Sequence, residues 1–360
     1  MGATLQKKIR CGVIGAGWWA TFAHVPALLS HPCAELVALQ KRDSAEAVRV
    51  AKDFGVPHAF TSVEELIAVP GLEAVVVASS PNKHFDHAAA ALQQGLHVLI
   101  EKPMTLTVAQ ANELVRLAEA ADRQLIVSCP WHYTQHGQEA RKLILGGALG
   151  EIRMISVLMT NPVDHLIRGL STQPTHGKPY LDPRPGTYSD PAVAGGGQIY
   201  TQVSHAAAYL TFLTDARPAR VFARFHQDGS AMDIYDALAI ELENGAIVTL
   251  ASTGVTSLER RDYEVRVFGT EGILFLELWR GAMTLAPVKG GREVNYPDLP
   301  PAEVYPERAP AANLVDAILG IAPNLSPGTL GLAAMEVIEA ACRSARSCEN
   351  IVIREVLAGQ

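Results

Sequence analysis

Three short stretches of this chain carry residue types that could do chemistry together. The first is Gly15-Ala16-Gly17-Trp18-Trp19-Ala20, which follows the apolar positions Ile9, Val13 and Ile14 and precedes an amphipathic segment. Strand, glycines, helix is the order that a pyrophosphate-binding turn requires. One glycine makes the tight bend, a second lets backbone approach the ligand with no Cβ in the way, and a small residue, here Ala20, brings the helix onto the strand. The anion then rests at the positive end of the helix, so Gly15, Ala16, Gly17, Trp18 and Trp19 are expected to hold a dinucleotide. The second stretch is Glu101-Lys102-Pro103, directly after LHVLI. The apolar strand delivers Lys102 to the rim of a sheet, and the proline biases it away from helical geometry. An amine held there reaches a substrate oxygen; by residue type alone it reads equally as a surface lysine in a turn. The third is GGGQIYTQVSHAAAYL, residues 195 to 210. Ile199, Val203, Ala206 and Leu210 fall on one side of a helix, while Gln198, Thr201, Gln202 and His205 fall at i, i+3, i+4 and i+7 on another. That polar stripe faces either a ligand beyond the glycines or plain solvent. Its imidazole, with an ordinary pKa of about 6.5, is the group suited to moving a proton at neutral pH.

The elements that must position these groups follow from periodicity. ELVAL at 35 to 39 reads as the second strand and runs into Gln40-Lys41-Arg42, with no acid before Asp43. At this place in a dinucleotide fold an acid bonds the ribose 2′-hydroxyl of NAD, whereas basic residues accept the 2′-phosphate of NADP. Lys41 and Arg42 therefore favour NADP over NAD, and NAD stays open because two such charges also suit an exposed loop. SVEEL at 62 to 66 and TVAQ at 107 to 110 offer helix caps, and EAVVVA at 73 to 78 is a buried strand. Such alternation implies right-handed crossovers and a parallel sheet, whose ligands gather at the carboxyl ends of its strands. Two of those ends carry Ser79-Ser80-Pro81-Asn82, with His84 just beyond, and Glu101-Lys102. We expect Ser79, Ser80, Asn82, His84, Glu101 and Lys102 on the cofactor side. Trp131 and His132 follow the last strand of this half and either line the pocket or pack at a junction.

Beyond residue 130 the pattern changes. EIRMISVLM, ARVFARF, YDALAIELE, AIVTLAS, DYEVRVFG and GILFLELW are strand-like runs, and Asn244-Gly245 signals a two-residue hairpin. Tyr263, Val265 and Val267 alternate with Glu264 and Arg266, as one buried and one wet sheet face demand. The expectation is α/β: a doubly wound parallel (Rossmann) sheet over residues 1–130, then residues 131–360 with a large, mostly antiparallel sheet for substrate binding and oligomerisation, the last helix packing back on the first domain. At 360 residues the chain exceeds what one hydrophobic core usually serves. Between Asn161 and Gly197 it is proline-rich and aperiodic, too long for an idle connection, and shapes a pocket or reaches a neighbouring subunit. A formal charge of −7 with no lysine and arginine cluster argues against nucleic acid. No apolar run is long enough to span a bilayer and MGATLQKK lacks a leader's apolar core, so a cytoplasmic protein is expected. The five cysteines are scattered without C-x-x-C spacing and the histidines show no metal spacing; no metal is expected.

GVIGAGWWA and VVVASSPNKHFDHAAAALQQGLHVLIEKP resemble the Gfo/Idh/MocA oxidoreductases, the EKP at 101 to 103 being the most specific mark. GLAAMEVIEAACRSARSCENIVI resembles the family's closing helix and short extended segment, so the likeness spans nearly the whole chain. The resemblance implies a Rossmann domain, a second domain whose sheet turns one face toward a nicotinamide cofactor, and a homodimer or homotetramer packed through the other face. It implies that Lys102 contacts substrate near the nicotinamide, with a Lys102–Pro103 peptide that is often cis, and that a histidine of the second domain completes the site. The family's pattern there is a glycine pair, an aspartate, a glycine and a histidine. Gly196, Gly197 and His205 match it, but Thr201 stands at the aspartate and Val203 at the glycine. That departure points to a branch distinct from inositol dehydrogenase, with substrate orientation falling to Thr201 and Gln202. The expected chemistry is hydride transfer at a secondary alcohol carbon of a sugar, glycoside or cyclitol, with Lys102 and His205 catalytic. A redox-neutral glycoside-processing reaction with retained NAD and a non-catalytic nucleotide sensor remain open on the same residues.

Overall fold

The alternation of strands and helices over the first third of the chain closes into six parallel strands. They are β1 (Ile9–Ile14), β2 (Ala34–Gln40), β3 (His58–Phe60), β4 (Ala74–Val77), β5 (His97–Ile100) and β6 (Leu125–Val127), in the order β3-β2-β1-β4-β5-β6. A computed structural model describes residues 7–171 and 179–354, so residues 172–178 of the proline-rich segment, and the terminal residues, lie outside what is described. The strand order reverses between β1 and β4, and the crevice at their carboxyl ends is where such sheets take ligands. Gly15 makes the bend there. It has φ +79°, and a Cβ on it would stand 2.5 Å from the backbone of Ser79. Gly15→Ala is therefore expected to cost about 1–3 kcal/mol of stability through the strained φ and the clash, read as a lower midpoint in equilibrium urea unfolding. An unchanged midpoint would show that this turn does not need a glycine.

The helix after the turn is not a plain α-helix. It is π-wound over Ala20–His24 and α-helical over Val25–Ser30, with Leu28 buried and Leu29 47% exposed. The caps read from sequence are present: Ser62 accepts the Glu65 N–H and Thr107 accepts the Gln110 N–H. Asp43 caps the helix Ser44–Phe54 by accepting the Glu46 N–H at 2.7 Å.

The second sheet holds β7 (Ile152–Thr160), β8 (Pro218–His226), β9 (Tyr235–Leu242), β10 (Ile247–Thr253), β11 (Tyr263–Gly269), β12 (Gly272–Glu277), β13 (Ala282–Pro287), β14 (Val294–Asn295) and β15 (Ile351–Val352). Their order is β14-β13-β12-β11-β7-β10-β9-β8-β15, and every neighbouring pair except β7 with β10 is antiparallel. Along β9, Leu238, Ile240 and Leu242 are buried while Ala237, Ala239 and Glu241 are exposed, the period of a sheet wet on one side. The hairpin at Asn244-Gly245 is a correction. Leu242 bonds Ala246, Gly245 donates to the Leu242 carbonyl, and Gly245 has φ +82°, so the loop is three residues ending in a left-handed position, not two. Only the glycine of the pair needs the unusual backbone.

The helices Ser204–Thr214 and Gly328–Ser347 cover the buried face, and every residue of the first is buried. The second helix also touches the parallel half: Val108 N–H donates to Glu339 Oε2 at 2.9 Å, and Ile126 bridges Pro327. On its other side Ser344 Oγ accepts the Ala223 N–H at 2.9 Å. The helix Ala309–Ile318 buries Ala311, Leu314 and Val315 in one cluster with Ile9 and Val13 of β1. Among the described residues no helix is long and apolar enough to cross a membrane.

Candidate functional site

A cleft of about 790 Å³ begins at the glycine turn, runs along the carboxyl ends of the parallel strands and ends against the helix that carries His205. At its start Gln40, in the place where an acid would bond a ribose, turns inward. Its side chain accepts the Gly15 N–H at 3.1 Å and donates to the Thr61 carbonyl at 2.8 Å. The Gln40 carbonyl takes the Gly15 and Ala16 N–H groups, and Ala16 is fully buried. Ala16 thus holds the turn and does not line the cleft, which corrects its assignment as a contact. Gly17 does line it; a Cβ there would meet only the Gly15 carbonyl, at 3.8 Å, so the backbone is open to a ligand.

Lys41 and Arg42 both line the cleft, but Lys41 is sunk into its wall with 7% of its side chain exposed and pairs with Glu46 at 3.2 Å. Burial pulls its pKa below the ordinary lysine value, against the opposing hydrogen bond from Glu46. Ser79 and Ser80 line the middle of the cleft. Asn82 does not: in an exposed turn, its Oδ1 accepts the Ser80 hydroxyl at 2.9 Å. His84 borders the cleft, yet Nδ1 lies 2.8 Å from the Pro103 carbonyl and Nε2 3.0 Å from the Ser79 carbonyl. Burial lowers its pKa, so the neutral ring donates to one of these carbonyls at a time. It braces the two loops together.

At the far end Glu101 organises its neighbours. Its Oε1 accepts from Trp19 Nε1 at 2.8 Å and lies 2.8 Å from His24 Nε2, and its Oε2 accepts the Lys102 N–H at 3.1 Å. Burial raises its carboxyl pKa, but His24 and Lys102 more than offset this and keep it lowered. The Lys102–Pro103 peptide is cis. Lys102 Nζ donates to the Thr201 carbonyl at 3.1 Å, and burial lowers its pKa, with Glu101 opposing. His205, one helical turn after Thr201, lines the same cleft edge-on to Trp131, with ring centroids 5.2 Å apart. Gln202 lines it as well and accepts from Asn161 Nδ2 at 3.2 Å.

Two residues of the expected polar set lie elsewhere. The helix is π-wound over Ile199–Val203, which adds a residue to that turn and breaks the i, i+7 alignment. Gln198 accordingly points under the second sheet and donates to Ser252 Oγ at 2.8 Å. His132 is core: it stacks on Phe212 at 4.5 Å, its Nδ1 pairs with Ser326 Oγ at 2.9 Å, and burial, aided by Arg141, pulls its pKa down to about 3. Thr201 lines the cleft, but its hydroxyl is turned back onto the Gly197 carbonyl, leaving its own carbonyl for Lys102.

Several cleft residues escaped the sequence reading. Trp279 and Tyr305 join the anticipated Trp131, at 4.9 and 4.6 Å, in an aromatic wall of the same cleft, and Tyr188 accepts from Trp18 Nε1 at 3.3 Å. Tyr305 and Tyr188 sit in aperiodic chain where nothing local marks them; Trp279, just after β12, is the one that a bulky aromatic at a strand end could have flagged. Asp233 was also missed. Its two oxygens accept the Gly197 and Ile199 N–H groups at 3.0 and 2.6 Å and so seat the His205 helix. Beside it Asp236 is buried, and burial, then Asp233, raises its carboxyl pKa well above the usual value. A group raised in the folded state costs stability as pH climbs from its unfolded value, about 4, through the folded one. Asp236→Asn, which keeps the size of the side chain and removes its ionisation, is expected to flatten that decline and to match or exceed wild-type stability at pH 7. Urea midpoints from pH 5 to 8 check this; an undiminished decline would contradict it.

A parallel sheet in this order, with a glycine turn at its reversal and a lysine and histidine at the end of one cleft, defines the class of oxidoreductases built on an NAD-binding Rossmann fold. Residues 9–129 match the family model described as "Oxidoreductase family, NAD-binding Rossmann fold", and residues 138–275 match the GFO/IDH/MocA C-terminal domain. The chain is 31% identical over 274 residues to dTDP-3,4-didehydro-2,6-dideoxy-alpha-D-glucose 3-reductase of Streptomyces antibioticus, covering 76% of each. It is 27% identical over 282 residues to 1,5-anhydro-D-fructose reductase of Ensifer adhaerens, covering 78% of each. Its fold superposes on the aldose-aldose oxidoreductase from Caulobacter crescentus with a TM-score of 0.78 at 22% identity, over 96% of this chain and all of that one. The chain belongs to the Gfo/Idh/MocA oxidoreductase family.

Proposed function

We propose that this protein transfers a hydride between a nicotinamide dinucleotide and a secondary alcohol carbon of a sugar, glycoside or cyclitol. The observation that carries the reading is the Lys102 amine resting 3.1 Å from the Thr201 carbonyl, one turn before His205, at the end of a cleft that starts at the glycine turn. Residues 1–130 hold the dinucleotide and residues 131–360 supply the substrate side. Gly15, Gly17, Trp18, Trp19, Lys41, Arg42, Ser79 and Ser80 hold the cofactor, NADP in preference to NAD. The open side of Gly17 and the helix that follows it fit a pyrophosphate. When bound, the cofactor supplies the hydride acceptor or donor. His205 takes the proton that the substrate hydroxyl loses on oxidation, or returns it on reduction. Lys102 stabilises negative charge on that oxygen from a wall that excludes water. Gln202, held by Asn161, orients the ring. The aromatic wall of Trp131, Trp279 and Tyr305 gives this end of the cleft an apolar lining suited to a sugar ring. The relatives whose names describe reduction of a sugar carbonyl support the substrate class. A homodimer or homotetramer would cover the outer face of the second sheet, where Leu158 and Ile247 are exposed.

The test is a panel of sugars, glycosides and cyclitols, with their keto forms, incubated with each oxidised or reduced cofactor while the absorbance of the reduced nicotinamide is followed. Turnover with a member of that class is expected. No absorbance change in either direction with either cofactor across the panel would overturn the reading.

A further inference from the structure

The segment between residues 179 and 190 crosses from the second half of the chain to the start of the cleft. Tyr180 packs edge-on against Phe54 at 5.1 Å, lies under the Arg49 guanidinium and bonds Asp53, all three on the helix after β2. Further along, Tyr188 is tied to Trp18. Between these anchors Arg184 places Nη2 2.6 Å from Glu46 Oε2, the same oxygen that faces Lys41 Nζ at 3.2 Å. Two cations, one from each half of the chain, thus converge on one carboxylate oxygen, with Arg42 lining the cleft next to them. Asp182 and Glu64 also border the cleft, and Glu64 accepts the Ser62 hydroxyl at 2.6 Å. Gln40, by contrast, stands at the end of β2 where an acid would bond a free ribose 2′-hydroxyl, and its side chain is turned to Gly15 and Thr61.

We infer that Arg184 is a specificity-determining residue that reaches across the cleft to grip, together with Lys41, a phosphate on the adenosine ribose of the dinucleotide. The inference rests on the reading that the cleft takes a nicotinamide dinucleotide. A guanidinium presents a planar fork of donors that suits a phosphate, and a phosphate offers three acceptor oxygens where Glu46 offers Arg184 and Lys41 a single shared one. Glu46 then acts as the placeholder anion that holds both cations until the phosphate displaces it. Because Arg184 belongs to the crossing segment, the phosphate also fastens that segment over the adenosine.

The ligands 2′,5′-ADP and 5′-AMP differ only in that phosphate, and their binding to the full chain can be followed by calorimetry without any turnover. Arg184→Gln is expected to weaken 2′,5′-ADP by about tenfold, the scale of one charge-assisted hydrogen bond, and to leave 5′-AMP within about twofold. Glu46→Gln is expected to tighten 2′,5′-ADP and leave 5′-AMP unchanged. Equal losses for the two ligands in Arg184→Gln, or no loss for either, would overturn the inference, as would a Glu46→Gln protein that loses 2′,5′-ADP affinity. Wild-type protein that binds NADH or 5′-AMP but gains nothing from the 2′-phosphate would overturn it while sparing the cofactor reading. Failure to bind any of these nucleotides would remove the cofactor reading itself.

Discussion

Lys102→Met is expected to lower turnover by about 10²–10³-fold, the usual cost of removing one donor from a developing oxyanion, while dinucleotide affinity stays within about twofold. Methionine keeps the length and apolar stem of the side chain, so the cleft wall remains filled; what goes is the charge. Among the described residues the hydrogen bond lost is the one from Nζ to the Thr201 carbonyl. The Glu101 hydrogen bond to the Lys102 backbone N–H survives the change, while the attraction between the ammonium and the carboxylate goes with the charge. Steady-state rates beside a fluorescence titration, with Trp18 and Trp19 as reporters in the cleft, separate the two effects. A variant that turns over normally would make Lys102 a bracing residue. One that loses nucleotide binding and turnover together would make its role that of positioning the turn.

His205→Ala is expected to slow the reaction by about 10²–10⁴-fold, the range for a lost general acid or base, and to remove a limb from the pH profile. In the oxidative direction the ring must accept the proton, so the wild-type rate should rise with pH and the variant's should not. The ring sits edge-on to Trp131 in a helix that is buried on every side. Alanine therefore leaves a cavity as well as removing a base, and His205→Gln, which fills most of that space, is the necessary companion. Equal losses in both variants would point to proton transfer; full recovery in the glutamine protein would show that His205 serves only to pack Trp131.

The parallel sheet was legible because most of its strands are short apolar runs and several of the helices between them carry a local cap; Ser62 and Thr107 mark two of those caps with nothing but local chemistry. That Lys102 and His205 line one cleft was anticipated through the resemblance carried by Glu101-Lys102-Pro103 and by the glycine pair before His205; residue type and spacing alone left a surface lysine and a packed histidine open. Gln198 was misplaced because period 3.6 was assumed through a turn that holds an extra residue. Of the two readings open for Trp131 and His132, Trp131 took the pocket and His132 the packing, because a short 3₁₀ turn, Pro130–Tyr133, sends adjacent side chains different ways. Arg184, Tyr188 and Tyr305 were invisible for a different reason. Their partners lie up to hundreds of residues away, as with Tyr188 and Trp18, and no window on the chain contains both ends of such a contact.

The two helices bordering the cleft, after Gly17 and after Gly197, share a surplus residue in their first turns, over Ala20–His24 and Ile199–Val203. Removing one residue from the latter turn would restore regular winding and rotate Thr201 about the axis relative to His205. The amine would lose its carbonyl seat although no side chain named above had been altered. Segment length is thus as much under constraint here as residue identity, and among homologous chains a single-codon gap at this turn would signal a differently arranged pocket more reliably than a substitution beside it.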